Sequence, residues 1–293
     1  MPSNLKDRLI TLLTQYPLPH HALSKLMHAL TRWQFRPWKN WQIRLVIKRF
    51  NVDMSIAEKS DPNDFASFNH FFTRTLKPEA RPIVSGVKEI ACPVDGAISQ
   101  IGEIVDGKIF QAKKHQFNLI DLLGGSRERA HPFQGGSFTT IYLSPRDYHR
   151  IHMPATGELL EMVHVPGRLF SVSPRTTENV PALFARNERV VALFNTEYGP
   201  MAMILVGALF VGSMDTVWAG NVAPRQDKRV RVWDYRYRHD AIQPIILKRG
   251  EEMGRFNMGS TVILLFGPQA IHWAKELRAN SQVKMGQLLA KGY

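Results

Sequence analysis

The chain has 293 residues, 44% of them hydrophobic and 22% charged, enough apolar material for a packed core and too much for a disordered chain. Its 38 Lys and Arg outnumber 25 Asp and Glu for a net charge of +13, which points to a polyanionic partner. A single cysteine, Cys92, excludes an internal disulfide and a thiolate metal cluster, and reads as a small core residue.

The charge is concentrated at the start. Residues 1–50 hold nine basic residues and one acid, Asp7, a local excess of +8. Residues 4–15 and 22–36 read as helices broken by Pro17 and Pro19. In the second, Leu23, Leu26, Met27, Leu30 and Trp33 recur at helical spacing as one apolar stripe. Residues 38–50 mix Trp38, Trp41 and Leu45 with Lys39, Arg44, Lys48 and Arg49. Tryptophans interleaved with cations suit a helix at headgroup depth on an anionic membrane; a helical cap packed on the body is the alternative. No zinc-finger spacing, aromatic RNA-binding pattern or Gly-rich phosphate cradle occurs, so nucleic acid is not an expected partner.

Leu9 to Leu13 is too short for a signal-peptide core, and the most apolar run, Met201 to Met214, has 14 residues and is too short to span a bilayer. The expected location is therefore peripheral, on the cytoplasmic side of the cell membrane. Residues 60–82 read as a capped short helix and a Pro-bounded connector. From residue 89 onward short β-type runs recur: 96–103, 139–143, 159–164, 189–195, 201–211, 229–235 and 261–266, with a short helix at 118–123. The polar run 249–255 reads as a turn. The expected fold class is α+β, with a helical, membrane-associating region over 1–82 and a mainly antiparallel β body over 83–293.

Three segments carry candidate chemistry. Gly259-Ser260-Thr261 precedes a β-branched strand, and glycine leaves its own carbonyl unshielded beside the serine hydroxyl. Asp95 is the one acid in the turn-forming run Ala91 to Ile98, a carboxylate that needs a hydrogen-bond donor once buried. His149 and His152 lie three apart between Pro145 and Pro154, with no acidic or sulfur ligand at a spacing that suits a metal site. Asp, His and Ser together supply the orienter, base and nucleophile of acyl transfer. The hydrolase pattern Gly-x-Ser-x-Gly is missing, which favours attack of Ser260 on its own upstream peptide bond.

Pro93-Val94-Asp95-Gly96, the run Ser144 to Pro154 and Met258-Gly259-Ser260-Thr261 together resemble the phosphatidylserine decarboxylase family, in its prokaryotic and mitochondrial-type branch. The runs Phe71 to Pro82 and Phe194 to Pro200 extend the resemblance over roughly residues 50–266; Met258 stands where the family more often has Leu. The resemblance implies a proenzyme that cuts itself between Gly259 and Ser260, with His152, oriented by Asp95, as base. It implies a β subunit, 1–259, and an α subunit, 260–293, that remain a heterodimer, with a further homo-oligomer left open. Ser260 would become a pyruvoyl group, so that neither pyridoxal phosphate nor a metal is needed. Phosphatidylserine in an anionic membrane would join that group as a Schiff base, lose CO2 and leave as phosphatidylethanolamine, with His149 handling the carboxylate and the returning proton. The rivals are a pyruvoyl decarboxylase of a soluble amino acid or S-adenosylmethionine, a non-catalytic basic membrane-binding protein, and a serine hydrolase.

Overall fold

The structure, a computed structural model, describes residues 10–11, 13–112, 115–210, 213–223, 228–236 and 243–293. Residues 10–11 and 13–15 are helical, and the expected first helix before residue 10 lies outside the described residues. Three further helices follow: α1 (His20–Arg32), α2 (Arg36–Phe50) and α3 (Phe68–Phe72). The helix expected over 22–36 stops at Arg32, because Trp33 and Phe35 adopt extended ψ values of 124° and 110°. Pro37 then sits in the first turn of α2, where its missing N–H costs no hydrogen bond.

The faces of α1 do not divide as the apolar stripe alone would set them: Leu23, Met27 and Leu30 are half-buried. His20, Ser24 and Thr31 are buried against the protein, whereas Leu26 and Trp33 from the apolar stripe are 56% and 54% exposed. At the end of this helix Arg32 Nη2 donates to Ser213 Oγ at 3.2 Å. In α2, Ile43 turns inward and joins Val52, Phe65, Phe68, Phe71 and Phe72 in a small core separate from the main one. Trp41 and Leu45 face out.

The body is built on antiparallel strands. Those that frame the site are β1 (Gly96–Glu103), β2 (Ser137–Tyr142), β3 (Arg150–His152), β4 (Gly157–Val165), β5 (Arg189–Thr196), β6 (Gly199–Val206), β7 (Met214–Thr216), β8 (Gly220–Ala223), β9 (Glu252–Phe256) and β10 (Thr261–Phe266). A nine-stranded sheet runs Arg231–Asp234, β4, β5, β6, β10, β2, β1, Gln282–Val283, with Ile246–Leu247 also on β4. A four-stranded sheet runs β8, β7, β9, β3. β10 pairs along its full length with β6 and β2, and all six of its residues are buried. An unbroken apolar run is what a strand covered on both faces requires.

Two expectations need correction. The polar run 249–255 is not simply a turn: β9 occupies Glu252–Phe256, held between β7 and β3. A Cβ on Gly254 would lie 2.4 Å from the Asp215 carbonyl, so glycine permits the close strand approach there. The strand expected over 201–211 ends at Val206, and residue 211 lies outside the described residues.

This topology sends two segments from one sheet to the other. Residues 143–149 lead from β2 to β3, and residues 257–260 lead from β9 to β10. The segments meet: Leu143 N donates to the Ser260 carbonyl at 2.8 Å, and Phe256 N donates to the His149 carbonyl at 3.1 Å.

Candidate active site

The Gly259–Ser260 bond lies in the second of these crossovers. Ser260 is fully buried, and its hydroxyl has no hydrogen-bond partner. A Cβ on residue 259 would stand 2.8 Å from His149 Nε2 and 3.3 Å from the Leu143 carbonyl. Glycine is thus what allows the imidazole to approach the junction so closely.

His149 is fully buried, with its ring centroid 4.1 Å from that of Phe72 in α3. Its Nδ1 lies 2.8 Å from the Asp147 carbonyl. A carbonyl only accepts, so Nδ1 carries the proton and the neutral ring presents a bare lone pair at Nε2. That nitrogen has no partner. Burial, aided by the charge of Arg74, pushes the His149 pKa down to about 3, so the ring is neutral at pH 7. An orphaned hydroxyl beside an orphaned imidazole nitrogen is costly in a folded interior, as polar atoms kept for chemistry are.

His152 is differently engaged. Its Nδ1–H donates to the Gly250 carbonyl at 2.8 Å, and its Nε2 accepts from the Tyr148 hydroxyl at 3.0 Å. Burial lowers its pKa, against the raising effect of the Gly250 carbonyl. Burial pushes the Tyr148 hydroxyl up to about 12, which keeps it a donor. Asp95 is buried, as its sequence context suggests, and it has found its donors: Arg81 Nε at 2.8 Å, Met285 N at 2.9 Å, and Arg81 Nη2 on its second oxygen.

The structure therefore brings His149 against Gly259, the residue before Ser260, but does not make the expected direct contact between Asp95 and His152. The planar Arg81 fork donates to both carboxylate oxygens of Asp95. Arg81, Tyr148, Phe72 and Arg74 are the neighbours that sequence reasoning left without roles. A signal existed for all four, since Phe72, Arg74 and Arg81 lie within the Phe71 to Pro82 run and Tyr148 within the Ser144 to Pro154 run that carry the family resemblance.

One cavity touches the junction, and a second lies beside Tyr148, the chain neighbour of His149. One, of about 250 Å³, is mainly apolar and touches Met258 and Gly259, with Phe72, Phe210 and the α2 residues Val46 and Phe50 among its walls. The other, of about 260 Å³, is polar and includes Arg74, Asp95, Tyr148 and Lys284. Among the described residues no three or more His, Cys, Asp or Glu side chains gather as a metal site would. The donor set fits a carbonyl group generated in place from Ser260: an unpaired hydroxyl, an unshielded glycine carbonyl and a neutral base at the mouth of an apolar cavity.

A family model described as phosphatidylserine decarboxylase matches residues 68–291, and a second, described as PSD, matches residues 10–51. The chain is 56% identical to the phosphatidylserine decarboxylase proenzyme of Bordetella pertussis, over 97% of this chain and 95% of that protein. It is 54% identical to the proenzyme of the same name from Ectopseudomonas mendocina, over 97% and 98%, and 52% identical to that of Nitrosococcus oceani, over 98% and 92%.

Proposed function

The chain belongs to the phosphatidylserine decarboxylase family, and from that premise we propose that it is a proenzyme that converts phosphatidylserine to phosphatidylethanolamine and CO2 after cutting itself between Gly259 and Ser260. The observation that carries this reading is the bare Nε2 of His149 set against Gly259, next to the unpaired hydroxyl of Ser260. In self-cleavage the Ser260 oxygen attacks the Gly259 carbonyl, the peptide C–N bond breaks, and the acyl group moves to oxygen as an ester. Removal of the Ser260 α-proton then expels the Gly259 carboxylate and leaves a dehydroalanine, which takes up water and releases ammonia. The resulting pyruvoyl group would supply a ketone that takes up an amine and accepts the electron pair left by CO2.

The chain's own residues do the rest. His149 holds a neutral imidazole at the junction, suited to exchanging a proton there and to returning one to the carbon that loses CO2. His152 and Asp95 complete the proposed set, as base and carboxylate for self-cleavage. That role requires His152 Nε2 to release the Tyr148 hydroxyl and Asp95 to act from, or exchange, its bonds to Arg81. Separate gels of His149→Ala and His152→Ala assign the cleavage base: the variant that stays whole has lost it. The apolar walls of the cavity favour departure of a charged carboxylate as neutral CO2.

Residues 1–82 form the membrane-associating region in this reading and 83–293 the catalytic body. Support comes from the outward Leu26, Trp33, Trp41 and Leu45, from the local charge of +8, and from the apolar cavity that runs between Gly259 and α2. No described helix is long and apolar enough to cross a membrane, so the attachment proposed is peripheral, on the cytoplasmic side of the cell membrane. Residues 260–293 contribute β10 at the centre of the large sheet, which would hold the two pieces together after cleavage.

A denaturing gel with mass spectrometry tests the proposal. Wild type is expected as a large piece and a 34-residue piece with a pyruvoyl start, and Ser260→Ala as one chain of 33.4 kDa. An intact wild-type chain that retains its serine sinks the reading.

A further inference from the structure

The polar cavity beside Tyr148 contains a buried cation without a counter-ion. Arg74 is 3% exposed, and its Nη2 donates to the Arg146 carbonyl at 3.2 Å, while Nε and Nη1 have no partner. A buried charge with two unmade hydrogen bonds is a costly arrangement unless something completes it. The acids of the cavity are otherwise engaged. Asp95 is held by Arg81 and Met285 N, Asp147 accepts from Ser144 N and Oγ, and Asp53 accepts from Ser55. Lys284 lines the same cavity, and among the described residues no ion pair joins its ammonium.

We propose that this cavity receives the phosphodiester of the phosphatidylserine headgroup, with Arg74 as its main ligand and Lys284 as a second cation. The inference rests on the decarboxylase reading and specifies how that site holds its substrate. A guanidinium donates along its edges to phosphate oxygens. Arg74 offers a free Nη1 beside Nη2, which also donates to the Arg146 carbonyl, with the free Nε on the opposite side of Nη2. Chemistry selects the phosphodiester over the substrate carboxylate. The carboxylate loses its charge as CO2 departs, so a tight ion pair would stabilise the ground state and slow the reaction. The phosphodiester keeps its charge throughout, so pairing with it lowers KM and leaves kcat alone. Arg74 belongs to the 1–259 piece and Lys284 to the 260–293 piece, so both wall the cavity.

The test compares wild type, Arg74→Gln, Arg74→Lys and Lys284→Ala after a gel has established self-cleavage. CO2 release from short-chain phosphatidylserine should show KM raised about tenfold or more in Arg74→Gln at near-constant kcat. Arg74→Lys should recover part of that loss, and Lys284→Ala should show a smaller rise. Calorimetric titration of the uncleaved Ser260→Ala chain with inorganic phosphate and with glycerophosphoserine reads the cavity without turnover. Binding of glycerophosphoserine should disappear when Arg74→Gln is added, even if that variant cannot mature. Undiminished binding in the double variant, or an unchanged KM in both Arg74→Gln and Lys284→Ala, overturns the proposal. Inorganic phosphate bound without glycerophosphoserine marks a free-phosphate site and also overturns it. A wild type that matures but releases no CO2 instead refutes the decarboxylase reading, while the titrations still judge the cavity.

Discussion

The helical region and the β body differ in what they leave in water: α1 and α2 hold Leu26, Trp41 and Leu45 outward, whereas β10 leaves no residue exposed. In β10 six consecutive residues, Thr261 to Phe266, are all out of water, whereas in α1 the buried side chains are His20, Ser24 and Thr31, and Leu26 of the apolar stripe looks outward. One rule governs both, since apolar surface is driven from water wherever a partner exists. β10 finds its partners in β6 and β2; on the membrane proposal, α1 and α2 find theirs in lipid. Helical periodicity reports that a face is apolar and leaves open what covers it.

The sharpest break of this contrast is at the junction in the body. Gly259→Ala puts a methyl group 2.8 Å from His149 Nε2 and must displace the imidazole or the backbone. Self-cleavage should slow by about 100-fold or more, the usual cost of misplacing a reacting group by about 1 Å, as gel densitometry against time will measure. Ordinary cleavage by this variant would show that the close approach of His149 is irrelevant to maturation.

Next in size is the core. Leu264→Ala, at a site with 0% exposure between two strands, should cost about 2–5 kcal/mol in urea unfolding. An unfolding midpoint like that of wild type would mean that the sheet centre packs loosely.

A pH effect belongs to the body as well. The folded pKa of His149, about 3, lies below its unfolded value, so the unfolded chain binds the extra proton between them. The stability held above about pH 6.5 is lost as pH falls toward 3, with a slope of at most about 1.4 kcal/mol per unit. His152, also lowered by burial, adds in the same direction. Urea midpoints of Ser260→Ala at pH 5 and pH 7 should differ more than those of Ser260→Ala with His149→Gln. Equal differences would contradict the neutral buried ring.

The smallest stability change is expected on the helices. Leu26→Ser with Trp41→Ala removes two outward side chains and should shift unfolding by no more than about 0.5 kcal/mol. Binding to phosphatidylserine vesicles should nevertheless weaken by about tenfold, from the apolar area lost. The reverse pattern, a large loss of stability with unchanged vesicle binding, would make these helices an ordinary cap on the body.

Much of this molecule was legible locally. The apolar run from Thr261 marks β10, and the glycine before Ser260 marks a close approach that His149 makes; base chemistry at the two histidines and an anionic partner for the basic start belong to the proposal. Asp95 was legible as a carboxylate in search of a donor. The identity of that donor was not, because Arg81 reaches it through a hydrogen bond whose geometry depends on how the connector folds back. β9 was missed for the same reason. Its residues are too polar for a core strand by themselves, and they become one because β7 and β3, from distant parts of the chain, pair with both edges.

Residue order along the chain thus determined which groups exist with chemistry to offer: a serine after glycine, two histidines and an acid, together with cationic helices carrying exposed aromatic residues. Tertiary structure alone decided which nitrogen is free. Two crossovers between sheets lie side by side, bringing His149 against Gly259, while Tyr148 occupies His152 and Arg81 occupies Asp95. His149 and Gly259, far apart in the chain, are brought together by the paths of the backbone, and no local periodicity encodes that meeting.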